Sequence, residues 1–263
     1  MKSARLSALA IVAVLITGCS SGGGFNMISL EEEWRLGQQL AADIERQMPV
    51  VRDQAANAYI TQLGQRLVAQ TPMANLPWGF HIIDSPEVNA FNIPGGHVYV
   101  TTGLIGAADN VAELAGVMAH EIAHGVQRHG TEQMSRAQGI NILASVLLGQ
   151  NPAAYQQILA QIVAGGAMAS YGRDAERESD VLGTRWMHAA GYNPEGMASM
   201  FEELLARRQR SPGAVERFFS SHPVTESRIE LVRSEIAKLP GNSRLVTNTN
   251  DYNTFRSRYG RSS

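Results

Sequence analysis

The chain has 263 residues, 44% of them apolar and 17% charged, with a formal net charge of −2. That is ordinary globular composition without a basic footprint, so no nucleic-acid partner is expected. A single cysteine excludes both a disulfide framework and a thiolate metal site.

Met1-Lys2-Ser3-Ala4-Arg5 places positive charge ahead of an apolar run from Leu6 to Ile16. The run is too short to span a bilayer and has the length of a signal-peptide core. Ile16-Thr17-Gly18-Cys19 resembles a bacterial lipobox, making 1–18 the expected signal peptide and Cys19 the expected lipidation site. The competing reading is an ordinary secretory signal with an incidental cysteine. Inner-membrane lipoproteins often carry Asp where this chain has Ser20, so the expected address is the outer membrane, with the chain facing the periplasm. Residues 19–28 then read as lipidated Cys and flexible tether, 29–240 as one domain, and 241–263 as a polar tail that frays.

Ser29-Leu30-Glu31-Glu32 makes a capping box, and the helix it opens runs towards Gln47, before Pro49. A second helix is expected from Arg52 to about Gln70. Three short β-rich segments follow, Trp78 to Asp84, Glu87 to Ile93 and His97 to Thr102, broken by Ser-Pro and Pro-Gly-Gly. The fold class is therefore α+β and mostly helical, with a small sheet set between helices.

Asn110 is a candidate N-cap for a helix with Val111, Leu114, Ala115 and Met118 on one stripe. That stripe continues into His120-Glu121-Ile122-Ala123-His124. Residues four apart share a helix face, so both imidazoles can take corners of one tetrahedral zinc, with Glu121 beside it as proton acceptor. The alternative is a buried helix whose histidines are satisfied by core hydrogen bonds. A third ligand is needed, and Tyr171 to Asp180 offers four acids on a helical pattern. Glu176 and Asp180 share a face, so Glu176 can ligate while Asp180 orients a ligand histidine. Glu178 points elsewhere. The competing reading is a solvated charged face held by pairs such as Arg173 with Glu176. Helical pattern then runs to about Lys238, and His222 stands just before Pro223, which suits the first turn of a further helix. His81, His129 and His188 read as surface or core residues.

His-Glu-Ile-Ala-His, the Glu176 to Asp180 spacing, Asn89 to Val100 with Asn92-Ile93-Pro94-Gly95-Gly96 inside it, and Ser221-His222-Pro223 with Arg228 occur in the order seen in one family. From about Leu30 to Leu239 the chain resembles the HtpX-like and prenyl-protein endopeptidases, zinc metallopeptidases of family M48. The resemblance implies a gluzincin fold with the sheet beside the HExxH helix, one zinc per chain on His120, His124 and Glu176, and Glu121 as general base. It also implies that the strand His97, Val98, Tyr99 and Val100 aligns the substrate backbone. Gly172 departs from the Ser that many relatives carry there. Membrane relatives place spanning helices between the HExxH helix and Glu176. Here Ile140 to Leu148 and Ile158 to Ala169 are too short to span, and read as packed helices, a lid or a pocket wall with methionines such as Met134, Met168, Met187, Met197 and Met200.

His222 and Arg228 are candidates to steady the oxyanion. His222 has a second reading, in which it occupies the open metal position and shuts the resting enzyme. Periplasmic members of the family imply an endopeptidase of protein quality control, acting on misfolded or stalled envelope proteins, with an envelope assembly machinery or regulatory protein as further partner. The rival function is a chaperone-like assembly factor that keeps its metal for structure. Glu121 argues against it, because a structural site does not use a proton acceptor.

Overall fold

The computed structural model describes residues 28–165, 170–241 and 244–261. The signal segment, the lipobox, Cys19 and Met168 lie outside the described residues. Helix α1 (Leu30–Gln47) opens on the expected capping box: Ser29 Oγ accepts from Glu32 N at 3.2 Å and Ser29 N donates to Glu32 Oε2 at 2.9 Å. Helix α2 (Gln54–Val68) starts two residues later than its periodicity predicts. Asp53 takes the cap, its carboxylate accepting from the N–H groups of Ala55 and Ala56.

Strands β1 (Gly79–Ile83), β2 (Ala90–Ile93) and β3 (His97–Thr101) form a sheet in the order β1-β3-β2. Strand β3 runs parallel to β1 and antiparallel to β2. This corrects the expectation for His97, Val98, Tyr99 and Val100: β3 is the central strand, its two edges already pair, and none is left for a substrate backbone. The reason lies in the turn, where Gly95 and Gly96 take φ values of 83° and 72° and fold β2 back onto β3. Alternation splits the sheet into two faces. Phe80, Ile82, Ala90, Val98 and Val100 join the main core, while Ile83, Phe91, Ile93 and Tyr99 join a second cluster with Leu36, Leu40 and Ile44 of α1.

Helix α3 (Thr102–Ala107) leads to α4 (Val111–Val126), which is buried along its whole length. Asn110 caps it as expected, Oδ1 accepting from Glu113 N at 3.1 Å. Arg128 then adopts φ 58°, held there by Glu33 Oε2 and Ile28 O, both 2.6 Å away, and α5 (His129–Gln138) departs in a new direction. Helices α6 (Ile140–Leu147) and α7 (Pro152–Gly165) pack through Leu143, Val146, Ile158, Leu159 and Ile162 on the α1 side of the sheet. They are packed helices, as expected, in a cluster separate from the metal centre; Val146, Gly149, Asn151, Pro152 and Tyr155 line a cleft of about 400 Å³ against α1, away from that centre. No helix among the described residues is long and apolar enough to cross a membrane. Met134 fills this second cluster, and Met187, Met197 and Met200 fill the main core.

Helices α8 (Arg173–Ala189) and α9 (Glu195–Arg210) flank α4, followed by α10 (Pro212–Ser221) and α11 (Glu226–Ile236). The expected fraying tail is instead a helix, α12 (Asn250–Tyr259), set against α2 and α3. Two aromatic residues explain it. Tyr252 is fully buried, donating its hydroxyl to Ala108 O at 2.9 Å, and Phe255 stacks on Tyr59 at 4.3 Å. Tyr252→Ala is expected to cost about 3–5 kcal/mol, as truncating a buried aromatic does, read from the denaturant midpoint. A midpoint that does not move would show that α12 contributes nothing to the core.

Candidate metal centre

His120 and His124 project from one face of α4, and Glu176 comes from α8, which packs against α4. Gly183 allows that approach: a Cβ there would sit 3.1 Å from His120 N and 3.2 Å from Ala119 C, so a larger residue would push α8 and its carboxylates away. His222 arrives from the end of α10. His120 Nε2 is 3.0 Å from His124 Nε2, 3.6 Å from Glu176 Oε2 and 3.3 Å from His222 Nδ1. Glu176 Oε1 is 3.3 Å from His124 Nε2 and 3.0 Å from His222 Nδ1. Four donors on a tetrahedral ion at zinc bond lengths stand about 3.3 Å apart, so these separations bracket the edges of that polyhedron.

Charge leads to the same conclusion. Glu121, Glu176, Asp180 and Arg228 are all buried, so three carboxylates face one guanidinium. With neutral imidazoles two negative charges remain, which a divalent cation would cancel. Without a cation, protons compensate in part: burial alone lowers the His120 pKa, but Asp180 and Glu176 raise it to about 9. Burial pushes the Glu176 carboxyl up, yet His222, with hydrogen bonds from His120 and His124, holds it well below the usual carboxylate range. His124 is driven well below the ordinary imidazole value by burial.

Behind the four donors stand groups that orient them. Asp180 Oδ1 faces His120 Nδ1 at 3.0 Å. Arg228 clamps Asp180 through Nε at 2.7 Å and Nη2 at 2.6 Å, and sets Nη1 2.5 Å from Glu176 Oε2 and 3.0 Å from Pro223 O. With four contacts so spent, Arg228 holds ligands in place, which weighs against the oxyanion contact considered from sequence. The alternative pair of Arg173 with Glu176 does not form. Neither Glu121 oxygen has a hydrogen-bond partner; His222 Nε2 lies 3.3 Å from Oε1. A buried carboxylate without donors, beside the metal-ligand cluster, is placed to accept a proton.

Three participants escape the sequence reading. His129 Nδ1 lies 2.9 Å from His124 Nδ1, and its Nε2 is 3.3 Å from Glu178 Oε2, so a residue read as surface or core and an acid read as pointing away together support a ligand. Tyr171 stacks on His124 at 4.0 Å. Only the turn at Arg128 could have hinted that His129 folds back. A cleft of about 550 Å³, lined by Tyr171, Arg173, Asp174, Arg177 and Pro223, opens at Glu176 and Arg228 and is large enough for several peptide residues. Strand β2 is the strand nearest this centre, Asn92 Nδ2 donating to Glu121 O at 2.6 Å.

The sequence pattern of peptidase family M48 matches residues 54–236. The chain is 31% identical over 226 residues to a beta-barrel assembly-enhancing protease of Escherichia coli (strain K12), covering 82% of this chain and 46% of that protein. It is 32% identical over 222 residues to a putative beta-barrel assembly-enhancing protease of Vibrio cholerae, with 81% and 46% covered. It is also 28% identical over 213 residues to the mitochondrial metalloendopeptidase OMA1 of Schizosaccharomyces pombe, with 79% and 62% covered. The chain thus spans about half the length of the assembly-enhancing relatives it matches.

Proposed function

Because this chain belongs to peptidase family M48, we propose that it is a zinc-dependent endopeptidase cutting misfolded or stalled cell-envelope proteins at the periplasmic face of the outer membrane. The observation that carries the activity is the tetrahedral set of His120, His124, Glu176 and His222, with the unpaired Glu121 carboxylate beside it. His120, His124 and Glu176 would hold the zinc, which would supply a Lewis acid to polarise a peptide carbonyl and acidify a water. Glu121 takes the proton of that water and returns it to the leaving amine. Asp180 keeps His120 Nε2 turned to the metal, His129 does the same for His124, and Arg228 fixes both Asp180 and Glu176.

Location and substrates rest on the lipobox reading of Cys19 and on the quality-control role that the family resemblance implies. The name of the assembly-enhancing relatives favours a second reading, that of an assembly factor able to act without cutting. The two separate in one experiment. A deletion strain is complemented with the wild type and with Glu121→Gln, beside digestion of unfolded casein by the soluble chain beginning after Cys19. Quality control by cleavage requires that the variant fail in both. Complementation by the variant would assign the cellular role to assembly, and casein left intact by the wild type would refute the endopeptidase.

His222 Nδ1 stands 3.3 Å from His120 Nε2 and 3.0 Å from Glu176 Oε1, beside the expected ligands, which favours the reading of a histidine that closes the resting site and yields to substrate. His222→Ala is then expected to raise turnover, by about tenfold if closure is favoured by about 1.4 kcal/mol. A fall in turnover would instead support the oxyanion reading, and unchanged kinetics would defeat both.

A further inference from the structure

A second convergence of histidines lies on the α1-facing side of the sheet, sharing no residue with the metal centre. His81 on β1 and His97 on β3 are half-buried neighbours with Nε2 and Nδ1 3.0 Å apart. Their rings stack at 5.3 Å, and Tyr99 stacks on His81 at 4.5 Å and 18°, fixing the plane of that ring. On the other side of His81, Nδ1 lies 3.3 Å from Glu45 Oε1 near the end of α1. With Nδ1 beside the Glu45 carboxylate, His81 Nε2 is the ring nitrogen turned towards His97. The arrangement of carboxylate, imidazole and open nitrogen is the one that orients histidine ligands on metals.

Gly79 supplies a third, independent observation. It pairs with His97 across the sheet and shares a face with His81, and a Cβ on it would stand 2.5 Å from His97 Nδ1 and 2.8 Å from His81 Nε2. The two nitrogens therefore converge over a position where only hydrogen leaves room. We propose that His81 Nε2 and His97 Nδ1 form a second, two-histidine site for a borderline divalent ion, zinc or copper(II), with Glu45 orienting His81. The 3.0 Å separation is close to the roughly 3.3 Å edge of a tetrahedral site. The side chains of His81 and Glu45 are 17% and 36% exposed, so water can complete the coordination. Burial holds both imidazoles at a pKa of about 4, neutral at physiological pH and able to bind metal without first losing a proton. Two protein ligands bind less tightly than four, and copper(II) binds more tightly than zinc.

The test is metal stoichiometry and spectroscopy on the chain already loaded with one zinc. A second equivalent of Cu²⁺ is expected to bind with the electron paramagnetic signature of two coordinated imidazoles, and Zn²⁺ to compete for it. His81→Ala and His97→Ala each lose this second ion and keep the first, and Glu45→Gln weakens it about 10–100-fold. Because the first zinc stays in these variants, failure here is distinguishable from failure of the peptidase reading. A stoichiometry that stays at one with both ions, or a second ion that persists in both histidine variants, would overturn the proposal.

Discussion

Glu121→Gln is expected to lower kcat by roughly 10²–10⁴-fold while the metal stays bound, because the amide keeps the shape of the side chain but cannot accept a proton. Glu121 is fully buried and no donor hydrogen-bonds its oxygens, so their lone pairs are free to take a proton. The measurement pairs metal content with peptide cleavage. A variant that retains zinc and still cuts would remove Glu121 from the mechanism, whereas one that loses zinc would make it a structural support.

Arg228→Ala is expected to cost about 3–5 kcal/mol of stability, since it leaves a buried carboxylate without its cation. Asp180 is fully buried and Arg228 nearly so, the pair being closed by two hydrogen bonds at 2.6 and 2.7 Å. The same change frees Asp180 and Glu176 to turn away from the metal, so zinc affinity should fall about 10–100-fold. Lysine has a single ammonium and cannot reproduce the two-pronged clamp, so Arg228→Lys should recover only part of either loss. Chemical denaturation of the metal-free and loaded protein separates the two effects. A variant as stable as the wild type, with unchanged affinity, would return Arg228 to the cleft as a substrate contact.

Where a feature depends on neighbours in the chain, it was legible in advance. The capping box at Ser29, the cap at Asn110, the shared face of His120 and His124 and that of Glu176 and Asp180 all follow from helix geometry within a few residues. The tail was misread for a related reason: its polar composition hid Tyr252 and Phe255, whose value depends on α2 and α3 being there to cover them. The substrate strand was misread because strand order is a choice among pairings, and local alternation says nothing about which strand ends up in the middle.

The sequence by itself determined the chemistry: two imidazoles one turn apart on a helix with a carboxylate between them, an acid pair at the same spacing, and a single cysteine, which excludes a thiolate metal set. Tertiary structure alone decided how that chemistry is enclosed. His222 closes the tetrahedron, His129 and Glu178 brace His124, and Arg228 locks Asp180 against Glu176, each across a gap in the chain that no helical or strand period spans. Helix periods fix direction over a few residues, whereas these contacts need α8 lying on α4, which Gly183 permits, and burial, which rewards each charge that finds a partner.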